Sequence, residues 1–248
     1  MARVWLDLPC APSQEVVVPT LYSYPDLFGV ADNNPFGLKV FAFMRLCGVA
    51  FEQRHVLDTS NAPRGQLPYL VDGGRTIGDS DAIIAHLKLE YGLEIDSKLS
   101  ARDVDLDCMA RRTLEDLYWS MSYSRWQDDR YWSSFRGALL STHPDISAET
   151  LEAAREYNRK RYYYQGIGRY SPDRVYERGV EDLRAIASLV GDEGFVFGPS
   201  PTTLDASIYG FVANIYYYDI DTPLRQYVMS RPNLVRHTRA IHALVQPK

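Results

Sequence analysis

The apolar positions change their period once along the chain. Between residues 19 and 92 short β-prone runs alternate with helical patterns, and after Gly92 the pattern is helical almost throughout. Pro19–Pro25 reads as the first strand, with Leu21, Tyr22 and Tyr24 at its centre and end. A polar, turn-rich loop runs from Asp26 to Asn34. Pro35 then opens a helix at the position where a fixed φ and a missing N–H cost nothing. Phe36, Leu38, Val40, Phe41, Phe43, Met44, Leu46 and Cys47 leave only Lys39 and Arg45 as polar relief, so this helix should be buried nearly all round before Gly48 ends it.

Phe51–Leu57 reads as a second strand, followed by a loop from Asp58 to Arg64. Leu67-Pro68 stands at the entry to a third strand, where proline is tolerated and a cis bond is open to it. Tyr69-Leu70-Val71 and Arg75-Thr76-Ile77 flank Asp72-Gly73-Gly74, a hairpin signal because glycine supplies the positive φ of a tight turn. Gly78-Asp79 turns once more, and Ser80 is the expected cap of a helix that presents Ile83, Ile84, Leu87 and Tyr91 on one face. A β-α-β start implies a parallel pair with a right-handed crossover, and the hairpin adds an antiparallel strand.

Leu93–Ser100 reads as a linker. Beyond it Leu106, Met109, Ala110, Leu114, Leu117 and Met121 keep helical spacing, and aromatic residues crowd from Tyr118 to Phe135 before Pro144 breaks the run. Ser147 to about Tyr164 is another helix, and Ser171-Pro172 starts one that extends to Val190. Gly194–Pro201 is an extended connector. Thr202 and Asp205 then form a capping-box variant ahead of Leu204, Ile208, Phe211, Val212 and Ile215, which should be the most buried helix of this half. Thr222–Met229 and Arg231–Leu244 supply one or two final helices. The expected organisation is an extension or extra strand over residues 1–18, an α/β domain over 19–92, a linker over 93–100 and an all-α domain over 101–248.

Composition narrows the function classes. The chain has 248 residues and a formal charge of −5, which argues against a general nucleic-acid binder. For the same reason Arg161-Tyr162-Tyr163-Tyr164, which invites a base-stacking reading, is not taken as a nucleic-acid platform. No apolar run reaches membrane-spanning length, and Met1–Leu8 lacks the core of a signal peptide. Three widely spaced cysteines, Cys10, Cys47 and Cys108, favour reduced thiols and a cytoplasmic setting. The five histidines do not cluster at metal-ligand spacing, so no metal is expected.

Three stretches together resemble the glutathione transferase superfamily: Leu67-Pro68 through the hairpin to Asp79-Ser80, the buried helix after the first strand, and Phe197-Gly198 leading to Thr202 and Asp205. More narrowly, Asn34-Pro35-Phe36-Gly37-Leu38-Lys39, Gln165–Pro172 and Arg231-Pro232-Asn233-Leu234 resemble the metaxin and failed-axon-connections branch. The resemblance implies a thioredoxin-like N-terminal domain joined to an all-α C-terminal domain. It implies glutathione as co-substrate, its γ-glutamyl end at Asp79 and Ser80, and its cysteinyl backbone along Leu67 beside Pro68 with Gln66 in reach. In redox-type relatives a cysteine stands just before the helix-opening proline and another two residues after that proline. Those positions are Asn34 and Gly37 here, so a mixed-disulfide mechanism is not expected. Asn34, backed by the helix dipole, and then Tyr22 are the expected thiol activators. Tyr118, Trp119, Tyr123 and Trp126 are the expected wall for a flat, apolar electrophile, with a homodimer as a further implication. Arg125 or Arg111 is a candidate for holding an acidic group. The alternative is a non-catalytic, metaxin-like binding or scaffold protein that keeps the fold.

Overall fold

The computed structural model describes residues 18–246. The possible arm before residue 18 therefore lies outside the described residues. Chain order is β1 (Thr20–Ser23), α1 (Pro35–Leu46), β2 (Glu52–His55), β3 (Tyr69–Asp72), β4 (Arg75–Gly78) and α2 (Ser80–Tyr91), then α3 (Ala101–Trp126), α4 (Asp129–Thr142), α5 (Ala148–Gln165), α6 (Pro172–Leu189), α7 (Thr203–Tyr216), α8 (Pro223–Met229) and α9 (Pro232–Val245). The four strands lie in the order β2-β1-β3-β4. β1 and β2 are parallel, while β1–β3 and β3–β4 are antiparallel. Crossover and hairpin are thus both where the alternation put them.

Period two decides what each face of the sheet does. Leu21 pairs with Leu70 across β1 and β3, and both point into a core with Leu38, Phe41 and Phe43 of α1 and Ile83, Ile84 and Leu87 of α2. The next pair, Tyr22 with Tyr69, points the other way, and the two rings stack at 4.4 Å, 8° from parallel. Ala62, Leu67, Val56 and Val71 close over that second face.

The helical half does not form a separate layer. Ala206, Tyr209 and Ala213 of α7 and Ile241 and Val245 of α9 belong to the same core cluster as α1. The opposite side of α7 joins α3, α6 and α8 through Leu204, Ile208, Phe211 and Val212. Every residue of α7 is buried, as its apolar face anticipates. Its N-terminus carries the Thr202–Asp205 capping box. The linker is also anchored there, because Asp96 accepts from Thr203 N–H at 2.9 Å and from Thr203 Oγ1 at 2.7 Å. α1 and α7 approach closely at Gly210, where a Cβ would stand 2.6 Å from Pro35 O and 2.9 Å from Lys39 N.

Candidate functional site

Two adjacent hollows open between the α/β half and the helices. Gln66, Tyr118 and Arg161 line both. The polar one, about 490 Å³, has Leu67, Pro68, Asp79, Ser80 and Asp81 on one wall and Arg112, Glu115 and Trp119 of α3 on the other. The aromatic one, about 220 Å³, lies between Tyr24, Asn34 and Gly65 and the side chains Trp126, Phe135, Leu151 and Tyr157 of α3–α5.

The polar hollow is shaped by turn chemistry. The Leu67-Pro68 bond is cis. Asp79 has φ +81°, a region that side-chain-bearing residues rarely occupy and that often marks functional sites. It is Asp79, not Ser80, that caps α2. Its Oδ1 accepts from the N–H groups of Asp81 at 3.0 Å and Ala82 at 3.2 Å. The sequence expectation misplaced the cap by one residue, because the positive φ at Asp79 swings its carboxylate back over the first turn. Ser80 becomes the first helical residue, nearly buried, with its hydroxyl and N–H left over as donors at the N-terminus of α2. Asp79 Oδ2 accepts from Arg64 Nη1 at 2.6 Å. A carboxylate has about four lone-pair sites, so roughly one remains for an incoming cation. Burial pushes the Asp81 carboxyl up, but ion pairs with Lys39 and Arg111 outweigh it and hold the group below the usual carboxylate range. An α-amino acid end therefore meets both an anion and helix-terminal donors in this hollow.

Asn34 sits at the mouth of the aromatic hollow as the cap of α1, its Oδ1 accepting from Phe36 N–H at 3.0 Å. With Oδ1 engaged, its Nδ2 group is the free donor. Asp32 places the loop, because its Oδ1 accepts from Asn34 N–H at 2.7 Å. Asp32 is wholly buried, burial pushes its carboxyl well above the ordinary value, and Oδ2 has no partner among the described residues. That oxygen fills the space beside Gly37, where an added Cβ would be 1.6 Å away. Position 37 is glycine because a neighbouring carboxyl already occupies the place a side chain would need. Gly37→Ala should lower stability by about 2 kcal/mol, roughly 5 °C in Tm, through overpacking. Adding Asp32→Ala should recover part of that loss, because the pair is coupled. Calorimetry of the two single variants and the double variant checks both statements.

The tyrosines divide differently from the sequence expectation. Tyr22 lines neither hollow and is held on Tyr69. Tyr24, two residues on and past the end of β1, lines the aromatic hollow. Burial pushes the Tyr24 phenol well above its ordinary value, so at neutral pH it donates and is not a base. Of the expected aromatic wall, Tyr118 lines both hollows, Trp119 the polar one and Trp126 the aromatic one. Tyr123 is inside the helical core, edge-on to Tyr162 and Tyr176. Gln66 lines both hollows, while Leu67, Pro68, Asp79 and Ser80 line the polar one. Arg125 borders the aromatic hollow, but its guanidinium is engaged by Asn33 O, Asn214 O and Asn214 Oδ1. Arg111 pairs with Asp107 and Asp81. Burial pushes the Cys47 thiol up to about 11, which disfavours a thiolate there.

Sequence reasoning missed Asp32 and Arg161, and it named Tyr22 where Tyr24 is the tyrosine that lines the hollow. Alternation put both tyrosines on one face, but only the strand's end point tells which reaches the gap. Arg161 lay near the end of the helix read from Ser147 to about Tyr164, in a run considered only for base stacking.

With one N-terminal α/β sheet domain, a cis-Pro, an acid-Ser helix start and an α-helical second half, the chain belongs to the glutathione S-transferase superfamily. The family's N-terminal domain matches residues 35–131 and its C-terminal domain residues 179–241. Isoprene-epoxide–glutathione S-transferase of Rhodococcus sp. (strain AD45) is 32% identical over 238 residues, covering 90% of this chain and 97% of that one. Failed axon connections of Drosophila melanogaster is 28% identical over 82% of this chain and 52% of its own length. The Metaxin-1 homolog of Caenorhabditis briggsae is 22% identical over 92% and 74%. Among solved structures, the beta-etherase LigF from Sphingobium sp. strain SYK-6 superposes with a TM-score of 0.65 at 15% identity, covering 92% of this chain and 96% of that one, a likeness of fold.

Proposed function

We propose that the chain is a glutathione transferase that activates the glutathione thiol for attack on a small, partly apolar electrophile. The observation that carries this is the polar hollow, where Asp79 and the N-terminus of α2 present an anion and two free donors to one amino-acid end. The γ-glutamyl carboxylate is received by Ser80 N–H and Oγ, and its ammonium by Asp79 and Glu115. The cysteinyl part runs along Leu67 and Gln66 toward Asn34. There Asn34 Nδ2 and Tyr24 Oη donate hydrogen bonds to the sulfur, and donors to the thiolate lower its pKa. The sulfur forms a bond to the acceptor carbon in the aromatic hollow, the thiol proton having gone to solvent. The name of the Rhodococcus relative points to an epoxide as the first acceptor to try. A cytoplasmic setting and a homodimer belong to the same reading. Among the described residues no helix is long and apolar enough to cross a membrane.

Titration calorimetry with glutathione tests it. Asp79→Asn keeps the cap acceptor and tolerates positive φ, and removes the charge together with the acceptor that Oδ2 offers Arg64. Affinity should fall about tenfold or more, the worth of one hydrogen bond to a charged group. Absence of heat from the parent protein at millimolar glutathione overturns the reading. One observation favours a second reading, a non-catalytic binding platform: position 34 carries neither hydroxyl nor thiol, and the oxygen of Asn34 is engaged in capping. Turnover of an epoxide above the uncatalysed rate, reduced by Asn34→Ala or Tyr24→Phe, decides against that platform.

A further inference from the structure

We propose that the aromatic hollow recognises an acceptor through a negatively charged oxygen, and that Arg161 is the group that takes it. The inference rests on the transferase reading for its setting, but its binding test does not.

Arg161 projects from α5 into the place where the two hollows meet. Its guanidinium carbon lies 5.4 Å from the Trp119 ring centroid and 5.8 Å from that of Tyr157. Nη1 donates to Asn158 Oδ1 at 3.0 Å, and Asn158 is itself oriented by donating Nδ2 to Ala154 O at 2.8 Å. Two rings and one amide therefore fix the plane of the guanidinium. A held guanidinium loses little rotamer freedom when its other N–H groups find an acceptor.

Among the described residues no carboxylate pairs with Arg161. Each acid around it has another cation. Asp79 pairs with Arg64 at 2.6 Å, Glu115 with Arg112 at 2.6 Å, and Asp81 with Lys39 and Arg111. The aromatic hollow has no aspartate or glutamate in its wall. Arg125, the second arginine of that wall, already donates to backbone and amide oxygens of Asn33 and Asn214. Arg161 is thus the less engaged arginine of that wall, with only Nη1 donating among the described residues, while both terminal nitrogens of Arg125 are held by Asn33 and Asn214. The apolar part of the wall is Leu57, Phe135, Leu139, Ile146 and Leu151. A partly desolvated guanidinium without a counter-ion favours a ligand that brings one. The matching ligand has a small apolar body and one anionic oxygen group.

That oxygen has two sources. The acceptor can carry a carboxylate from the start. Alternatively it can be an epoxide, whose oxygen becomes anionic as it opens. The thiolate sulfur then bonds to the ring carbon, the carbon–oxygen bond breaks with its electron pair on oxygen, and the alkoxide takes a proton from water.

Tryptophan fluorescence titrations with phenylacetate and its neutral isostere phenylacetamide test the first source, because Trp119 and Trp126 stand in the walls. Phenylacetate should bind about tenfold tighter, and Arg161→Met should remove the preference while Arg161→Lys keeps part of it. Turnover tests the second. Arg161→Met should slow opening of a neutral epoxide about 100-fold and leave displacement on iodomethane, which forms no oxyanion, unchanged. Glutathione affinity should be the same in parent and variant. Either pattern supports the inference and names the source. Equal binding of the two probes together with equal slowing of both electrophiles overturns it. So does a loss confined to glutathione affinity, which would assign Arg161 to the co-substrate. If the parent turns over neither electrophile, the transferase reading fails, and the probe titrations alone decide the role of Arg161.

Discussion

Asp205→Ala should cost about 3–5 kcal/mol of stability, the largest single effect in the chain. Asp205 is fully buried at the start of α7. Its two oxygens accept from Val196 N–H at 3.0 Å, Thr202 N–H at 2.8 Å, Thr202 Oγ1 at 2.8 Å and His237 Nε2 at 2.8 Å. Alanine leaves four donors without an acceptor, three of them on the buried Thr202 and His237, and the fully buried His237 side chain loses its partner. Because α7 carries both cores, the loss is global and not a frayed helix end. Urea unfolding should show a lower midpoint at unchanged slope. The pair also sets an acid limit. Burial pushes the Asp205 carboxyl up, but its hydrogen bonds, His237 foremost, outweigh burial and leave it below its ordinary value. A depressed carboxyl contributes stability above the unfolded value, about 4, and loses it as pH falls through the folded value. The parent should therefore weaken below about pH 4 more steeply than Asp205→Ala. Parallel slopes for the two proteins would remove Asp205 from the account.

Gly210→Leu is the second large effect, and its sign is the informative part. In an exposed helix, replacing glycine with a good helix former gains about 1 kcal/mol. Here any Cβ meets Pro35 O at 2.6 Å and Lys39 N at 2.9 Å, both backbone atoms of the partner helix α1. Backbone cannot step aside as a flexible side chain can. The helices must separate, and about 3 kcal/mol is lost. Because Asn34 caps α1, the separation also moves the loop that carries it, so glutathione affinity should fall with stability. Gly210→Ala should show the same direction at smaller size. A stabilised Gly210→Ala protein in thermal unfolding would mean that α1 and α7 do not touch at this position.

Much of the fold is written in local patterns. Pro35 and Gly48 bracket α1, Asp72-Gly73-Gly74 sets the hairpin, Ser147 and Ser171 cap α5 and α6, and Thr202 with Asp205 starts α7. Each rule involves residues only a few positions apart, so the sequence states it completely. The family signature is legible for the same reason, since Leu67-Pro68 and Asp79-Ser80 are themselves a local strand-turn-helix unit. Asp79 as cap was missed because a positive φ at a non-glycine residue is an expensive exception that propensity does not announce.

The sequence by itself determined most elements and their order, the thioredoxin-like and helical halves and the acid-Ser pair of the polar hollow, but it ran α3 and α4 together up to Pro144. Tertiary structure decided the rest. It chose Tyr24 over Tyr22 for the gap, because Tyr22 lies opposite Tyr69 in the β1–β3 register and stacks there. It sent Tyr123 into the core and left Tyr118 between the hollows. It engaged Arg125 with Asn33 across 92 positions of chain, and it set Arg161 between two rings with no carboxylate partner among the described residues. It also explained two glycines, 37 and 210, by what stands beside them and not by their own flexibility. Contacts between distant segments depend on how whole helices pack, and the period of a single helix says which face is buried but not which neighbour it meets.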